Sequence, residues 1–234
     1  MLKYLVLLLL LCLPCTAWAQ ALDGSNATSS SSGTTATVSL TTAHAPDLVC
    51  VGLTAITATD FVSVSSPTVG SFTKKGSFSQ AGSIYREVWC GSTATNLSSE
   101  TITITLGSTA SFFNAIAWAF SGIVTPATFD PNGSLPYQGI TPVVSTTYAN
   151  DIIFASINCG GTATPTAGAG WTGVQPGNYN FMEYQLVSSA QTSLSVTTGG
   201  TGGGACGVTN TVAHAIEVTP SGGATHENVL MGVM

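Results

Sequence analysis

The feature that most constrains this chain is an internal repeat. Thr41-Thr42-Ala43-His44-Ala45-Pro46-Asp47-Leu48-Val49 matches Ser145-Thr146-Thr147-Tyr148-Ala149-Asn150-Asp151-Ile152-Ile153 at an offset of 104 residues. Further matches follow in the same order with drifting spacing. Gly70 to Thr73 parallels Gly170 to Gly173, and Tyr85 to Trp89 parallels Asn180 to Gln185. Thr101 to Thr105 parallels Ser193 to Thr197, and Ala115 to Phe120 parallels Ala213 to Val218. A unit of this length is too long for a solenoid repeat. Each half must therefore carry several strands of its own.

Strands are what the pattern predicts. Ile102, Ile104 and Leu106 share one face of an alternating run. Ile116, Trp118 and Phe120 alternate with Ala115, Ala117 and Ala119. Period two marks a strand buried on one side. The alanine face implies either close packing or a sparsely decorated exposed sheet. Asp47 to Ala55 and Asp151 to Cys159 are more continuously apolar, as central strands are. No window sustains helical periodicity. The expected class is all-β: a two-sheet, jelly-roll-like β-sandwich built from two related halves, about 36–124 and 140–220. Two small sandwiches in tandem are the alternative. The connector Gly122 to Gly139 carries Pro126, Pro131 and Pro136, and suits a crossover loop or an inter-domain linker.

Residues 1–19 read as a secretory signal peptide. Lys3 is the basic start, Leu5 to Leu13 the apolar stretch, and Ala17-Trp18-Ala19 the cleavage site before Gln20. The apolar run is about half of what a bilayer span requires. The expected address is secreted or cell surface, with no stable membrane span. Residues 20–35, rich in Ser, Gly, Asn and Thr, read as a flexible linker. Residues 221–234 form a tail that ends in an apolar run, suited to a last strand or to a neighbour's sheet edge.

Charged residues make up only 6% of the chain, against roughly 25% in ordinary soluble domains. The basic residues are Lys3, Lys74, Lys75 and Arg86. Nucleic-acid binding needs several phosphate contacts, which excludes that partner. Outside the leader the cysteines are Cys50, Cys90, Cys159 and Cys206. An even set in an exported chain suggests disulfides, with three connectivities open. Pairing within each half, Cys50 with Cys90 and Cys159 with Cys206, is preferred, and buried free thiols are the alternative.

No catalytic motif is present. H-E-x-x-H, G-x-S-x-G and a phosphate-loop lysine are all missing, and no C-x-x-C suggests zinc. No cofactor or metal is implied. Asp130-Pro131-Asn132-Gly133 reads as a β-turn in preference to a calcium loop. His44, His214 and His226 fit turn or strand-surface positions. Asp47 and Asp151 recur before equivalent strands, as turn-forming or capping aspartates do. Glu87 and Glu183 recur beside aromatic residues. Glycoside hydrolysis needs two carboxylates about 5–10 Å apart, whereas repeat-related residues fall on equivalent surfaces. Trp171, Tyr137 and Tyr179 flank Gly/Pro-rich turns and form a candidate aromatic face for stacking on sugar rings. Trp89 and Trp118 occupy strand positions and read as core.

Asp-Leu-Val-Cys-Val, Tyr-Arg-Glu-Val-Trp, Thr-Ile-Thr-Ile-Thr and Ala-Ile-Ala-Trp-Ala-Phe-Ser-Gly, in that order, resemble uncharacterised β-sandwich modules of bacterial secreted and phage-associated proteins. The likeness spans roughly residues 36–220. It implies surface display or binding and transfers no catalytic residue. The leader departs from virion proteins, which usually lack one. The expected function is a non-catalytic exported module for adhesion, glycan binding or surface assembly, with a glycan or cell-surface ligand as partner. The alternatives are a self-associating structural subunit of an extracellular or virion assembly, and a glycan-active hydrolase.

Overall fold

The computed structural model describes residues 20–30, 32–57, 60–80, 84–123, 126–159, 164–174, 180–201 and 211–217. The expected leader and C-terminal tail, with Tyr179, Cys206 and His226, lie outside them. Every described element is a strand. The first half runs β1 (Ala21–Ser30), β2 (Gly33–Leu40), β3 (Asp47–Ile56), β4 (Phe61–Ser66), β5 (Gly70–Ser71), β6 (Thr73–Gln80), β7 (Ile84–Thr93), β8 (Glu100–Ala110) and β9 (Phe112–Ser121). The second half runs β10 (Tyr137–Gly139), β11 (Val143–Val144), β12 (Asp151–Asn158), β13 (Thr164–Thr166), β14 (Thr172–Val174), β15 (Asn180–Val187), β16 (Leu194–Ser195), β17 (Gly199–Thr201) and β18 (Thr211–Glu217).

The all-β sandwich expected from the pattern is what forms, as stacked antiparallel layers. The outer sheet of the first half is β2-β8-β4-β5, and its main sheet is β1-β9-β3-β7-β6. The main sheet of the second half is β10-β18-β12-β15-β14, with the short pairs β11-β16 and β13-β17 beside it. Position by position the two main sheets have the same order: β3 answers to β12, β7 to β15, β9 to β18. Among the described residues no sheet mixes strands from the two halves. The halves meet through the faces of their main sheets.

Side-chain alternation dictates this stacking, because successive residues of a strand point to opposite faces. Ile102, Ile104 and Leu106 of β8 face inward against Val49, Val51 and Leu53 of β3. Ala115, Ala117 and Ala119 join that first core, fully buried, so the alanine face is a close-packed one. The other face of β9 sends Ile116, Trp118 and Phe120 into a second core with Ile152, Phe154, Met182 and Ile216 of the partner sheet. Trp118 meets Phe154 edge-on at 5.6 Å, and Phe120 meets Tyr184 at 5.2 Å. A third core covers the far face of the second sheet, with Ile153, Ile157, Phe181 and Ala213.

Two readings of the chain are corrected here. The Ser/Gly-rich segment 20–35 is not a linker. Its residues form the ten-residue strand β1 and the start of β2, and β1 pairs with β9 from Ala21↔Ser121 to Ser30↔Phe113. Ladder bonds are made by the backbone, so a polar strand without alternation can still extend a sheet edge. The connector 122–139, which carries the chain from the first main sheet to the second, is not a plain linker. Phe129 bridges Ile216, and β10 pairs with β18.

The ladders also correct pairings of the repeat: Ser121 answers to Glu217, so Ala115 answers to Thr211 and not to Ala213. Asp47 opposes Thr93 in the first half, and Asp151 opposes Val187 in the second. Trp89 therefore answers to Glu183, and Arg86 to Asn180. Glu87 and Glu183 stand two residues apart in register.

Candidate functional site

The most strongly repeated construction is the loop before each central strand. A bulge between Leu22 and Gly24 takes Asp23 out of the β1 ladder. Its Oδ2 accepts hydrogen bonds from the backbone N–H of Ala43 (2.9 Å) and His44 (2.8 Å), and its Oδ1 lies 2.6 Å from His44 Nδ1. Gly24 is required there, since a Cβ would stand 2.1 Å from the Thr41 carbonyl oxygen. In the second half Asp130 takes the same part. Its Oδ2 accepts from Thr147 (2.7 Å) and Tyr148 (3.0 Å), 104 residues beyond Ala43 and His44, and its Oδ1 accepts from Asn132 N–H.

The threonines repeat as faithfully. Thr42 Oγ1 accepts from Leu97 N–H at 2.9 Å and donates to the His44 carbonyl. Thr146 Oγ1 accepts from Gln191 N–H at 2.9 Å and donates to the Tyr148 carbonyl. Each loop thus holds one ring outward on a fixed backbone: the His44 side chain is 44% exposed and Tyr148 is 39% exposed. The two loops lie at the same end of the stack. Ala21, Ser121 and Asp47 align in one row of the first sheet. Gln20, next in line, shares with Asn150, Asp151 and Leu186 the lining of a cavity of about 250 Å³.

Asp47 and Asp151 are buried, with 0% and 1% exposure. Burial pushes the Asp47 carboxyl up to about 6, with the Asp23 charge adding to the effect. Burial pushes Asp151 up to about 7, reinforced by Asp130. Neither caps a turn as expected: among the described residues no backbone N–H bonds to either carboxyl, and Asp23 and Asp130 hold the loop amides instead.

A second polar cluster lies in the first half. Lys74 of β6 donates to Asp60 Oδ2 at 3.0 Å and to Glu87 Oε1 at 2.6 Å. Trp89 Nε1 donates to Glu87 Oε2, and the Lys74 ammonium stands 5.3 Å from the Trp89 ring centre. The Glu87 side chain is wholly buried. Burial, then its hydrogen bond with Asp60, carries its carboxyl up to about 8, and the same bond lowers Asp60. Glu183 is buried on the far face of the second sheet, beside Phe181, where its Oε2 accepts from Gly168 N–H. Glu87 and Glu183 thus open into different cores and do not converge.

The aromatic face expected from Trp171, Tyr137 and Tyr179 does not assemble from its described members. Trp171 is a core residue, 8% exposed, in the third core. The Gly168 carbonyl accepts its N–H at 3.0 Å, and this turn tucks the indole inward. Tyr137 packs on the same core, and its hydroxyl accepts from Thr141 N–H. Trp89 and Trp118 are core, as expected. His214 is buried between Phe129 and Phe154, at 4.6 and 6.3 Å. Burial, then the Lys75 charge, lowers it to about 4, so it is neutral. The Cys50–Cys90 disulfide is present. Cys159 is also disulfide-bonded, and its expected partner Cys206 lies outside the described residues. Among the described residues no three His, Cys, Asp or Glu side chains are grouped to hold a metal ion, and no helix is long and apolar enough to cross a membrane. No protein family model, curated relative or solved structure matches the chain.

Proposed function

We propose that this protein is an exported, non-catalytic surface module that binds a glycan through its twin-loop end. The observation that carries the reading is the repetition of Asp23, Thr42 and His44 by Asp130, Thr146 and Tyr148. The same bonds hold a partly exposed ring at the same place in each half. Rings pre-positioned on a braced backbone favour binding because little conformational freedom is lost on contact. Ring faces stack on sugars, and a surface poor in charge and rich in Ser and Thr suits neutral hydroxylated ligands. The leader pattern supports export. A glycan array with wild type, His44→Ala, Tyr148→Ala and the double variant tests this. Binding should fall in each single variant and vanish in the double one. No signal from wild type, or a signal indifferent to both changes, would remove the proposal.

Self-association is a second reading, favoured by the edge strand β1. From Gly24 to Ser30 it carries no charge and no proline, the usual protections of an open edge. The opposite edge, β6, has Lys74, Lys75 and a bulge, and its Ser77 N–H donates to Gln138 Oε1 of the second sheet. Light scattering after size exclusion checks this: oligomers that Ala27→Pro dissociates support it, and a strict monomer excludes it.

A further inference from the structure

We propose that Lys74 and Asp60 condense into an intramolecular amide, promoted by Glu87, that covalently staples the two sheets of the first half. Lys74 stands on β6 of the main sheet. Asp60 immediately precedes β4 of the outer sheet, with its carbonyl held by Gly107 N–H at 3.1 Å. The nucleophile is already in place: Lys74 Nζ lies 3.0 Å from Asp60 Oδ2 and 2.6 Å from Glu87 Oε1. Fixing two reacting groups at contact distance replaces the entropy of encounter, which can supply an effective molarity on the order of 10⁵ M or more.

The three groups divide the chemistry. Lys74 passes a proton to Asp60, turning the ion pair into an amine and a carboxylic acid. The amine lone pair attacks Asp60 Cγ and forms the N–C bond. Glu87, a buried acid hydrogen-bonded to Asp60, donates its proton to the departing hydroxyl. The C–O bond breaks, water leaves, and the nitrogen returns a proton to Glu87. An ammonium and a carboxylate are consumed, an amide and one water are formed, and Glu87 is unchanged. Asp60 is half exposed, which gives the water a way out. Trp89 keeps Glu87 oriented through its indole N–H.

The second half supplies an internal contrast. Its buried glutamate, Glu183, meets a backbone N–H and no lysine. The chain has only three lysines, and Lys75 is turned to the Phe129 ring at 4.2 Å. The chain should therefore lose one water and no more.

Intact mass of the full-length folded protein after reduction, with peptide mapping, tests this. Wild type should be lighter than its sequence by one water, with a branched peptide joining Lys74 to Asp60. A cyclised N-terminal glutamine is distinguishable because it loses ammonia instead. Lys74→Arg and Glu87→Gln should restore the full mass, and Lys75→Arg should keep the water loss. Full mass in folded wild type, or a branch that joins Lys74 to another residue, would overturn the assignment. Neither result depends on glycan binding.

Discussion

Gly52 and Ser156, which stand 104 residues apart at equivalent places in β3 and β12, touch where the two main sheets meet. A Cβ on Gly52 would lie 2.2 Å from Ser156 Oγ and 3.1 Å from the Trp118 ring. The repeat thus packs against itself, and strand neighbours agree: β9 lies over β15 and β7 over β18. This is the arrangement of a two-fold dimer fused into one chain, whose interface uses the same patch of both partners. Gly52→Ala should overpack this contact and cost about 1–3 kcal/mol. Ser156→Gly in the same chain should recover part of that loss. Urea unfolding of the two single variants and the double variant measures the coupling, and strictly additive losses would contradict the contact.

Arg86 and Asn180 are a second pair of repeat-equivalent residues that bond to each other across this interface. The buried guanidinium donates to Asn180 Oδ1, Thr54 Oγ1, the Ser156 carbonyl and Ser156 Oγ. Asn180 Nδ2 in turn donates to the Gly52 carbonyl at 3.0 Å. No carboxylate among the described residues bonds to Arg86, so neutral acceptors alone satisfy it. Arg86→Ala should cost about 3 kcal/mol or more, through a cavity and stranded acceptors. Arg86→Met fills the volume and should cost less, about 1–3 kcal/mol for the lost bonds. An Arg86→Met midpoint equal to wild type would show that the bonds contribute nothing, and equal midpoints for the two variants would show that the filled volume contributes nothing.

Cys50 and Cys90 are direct cross-strand partners in β3 and β7, and their disulfide closes a separation of 40 residues. It faces the second core beside Leu48 and Val88. Cys50→Ala with Cys90→Ala should destabilise the protein by about 2–4 kcal/mol, largely by freeing the unfolded chain. Urea unfolding of the double variant checks the size of the effect.

The parts of the fold legible in the sequence are those that side-chain alternation or exact spacing encodes. Ile102, Ile104 and Leu106 gave away β8, and the offset of 104 gave away β3, β12 and the loops before them. Strand β1 was hidden because its residues show no apolar alternation, while its backbone ladder with β9 suffices to place it at the sheet edge. Asp23 and Asp130 were hidden because different lengths of chain, 20 and 17 residues, separate them from the first loop amide they cap. Trp171 misled, since its flanking glycines mark a turn that points the ring inward. Lys74, Asp60 and Glu87 come together only through the pairing of β6 with β7 and the approach of the outer sheet.

Three buried acids outside the Lys74 cluster make stability depend on pH in an unusual direction. In the folded state Asp47 sits at about 6, Asp151 at about 7 and Glu183 at about 7, each raised chiefly by burial. Their ordinary values are 3.8 for aspartate and 4.5 for glutamate. Between those values and the folded ones, the folded chain holds protons that the unfolded chain has released. Stability therefore falls as pH rises through this window. The stabilisation is complete below about pH 4 and is lost progressively up to about pH 7 to 8. The urea midpoint should be higher at pH 5 than at pH 8. Asp151→Asn, which removes one ionisable group while keeping its shape, should flatten that slope. A midpoint that rises from pH 5 to pH 8 would show that these carboxyls are ionised in the folded protein.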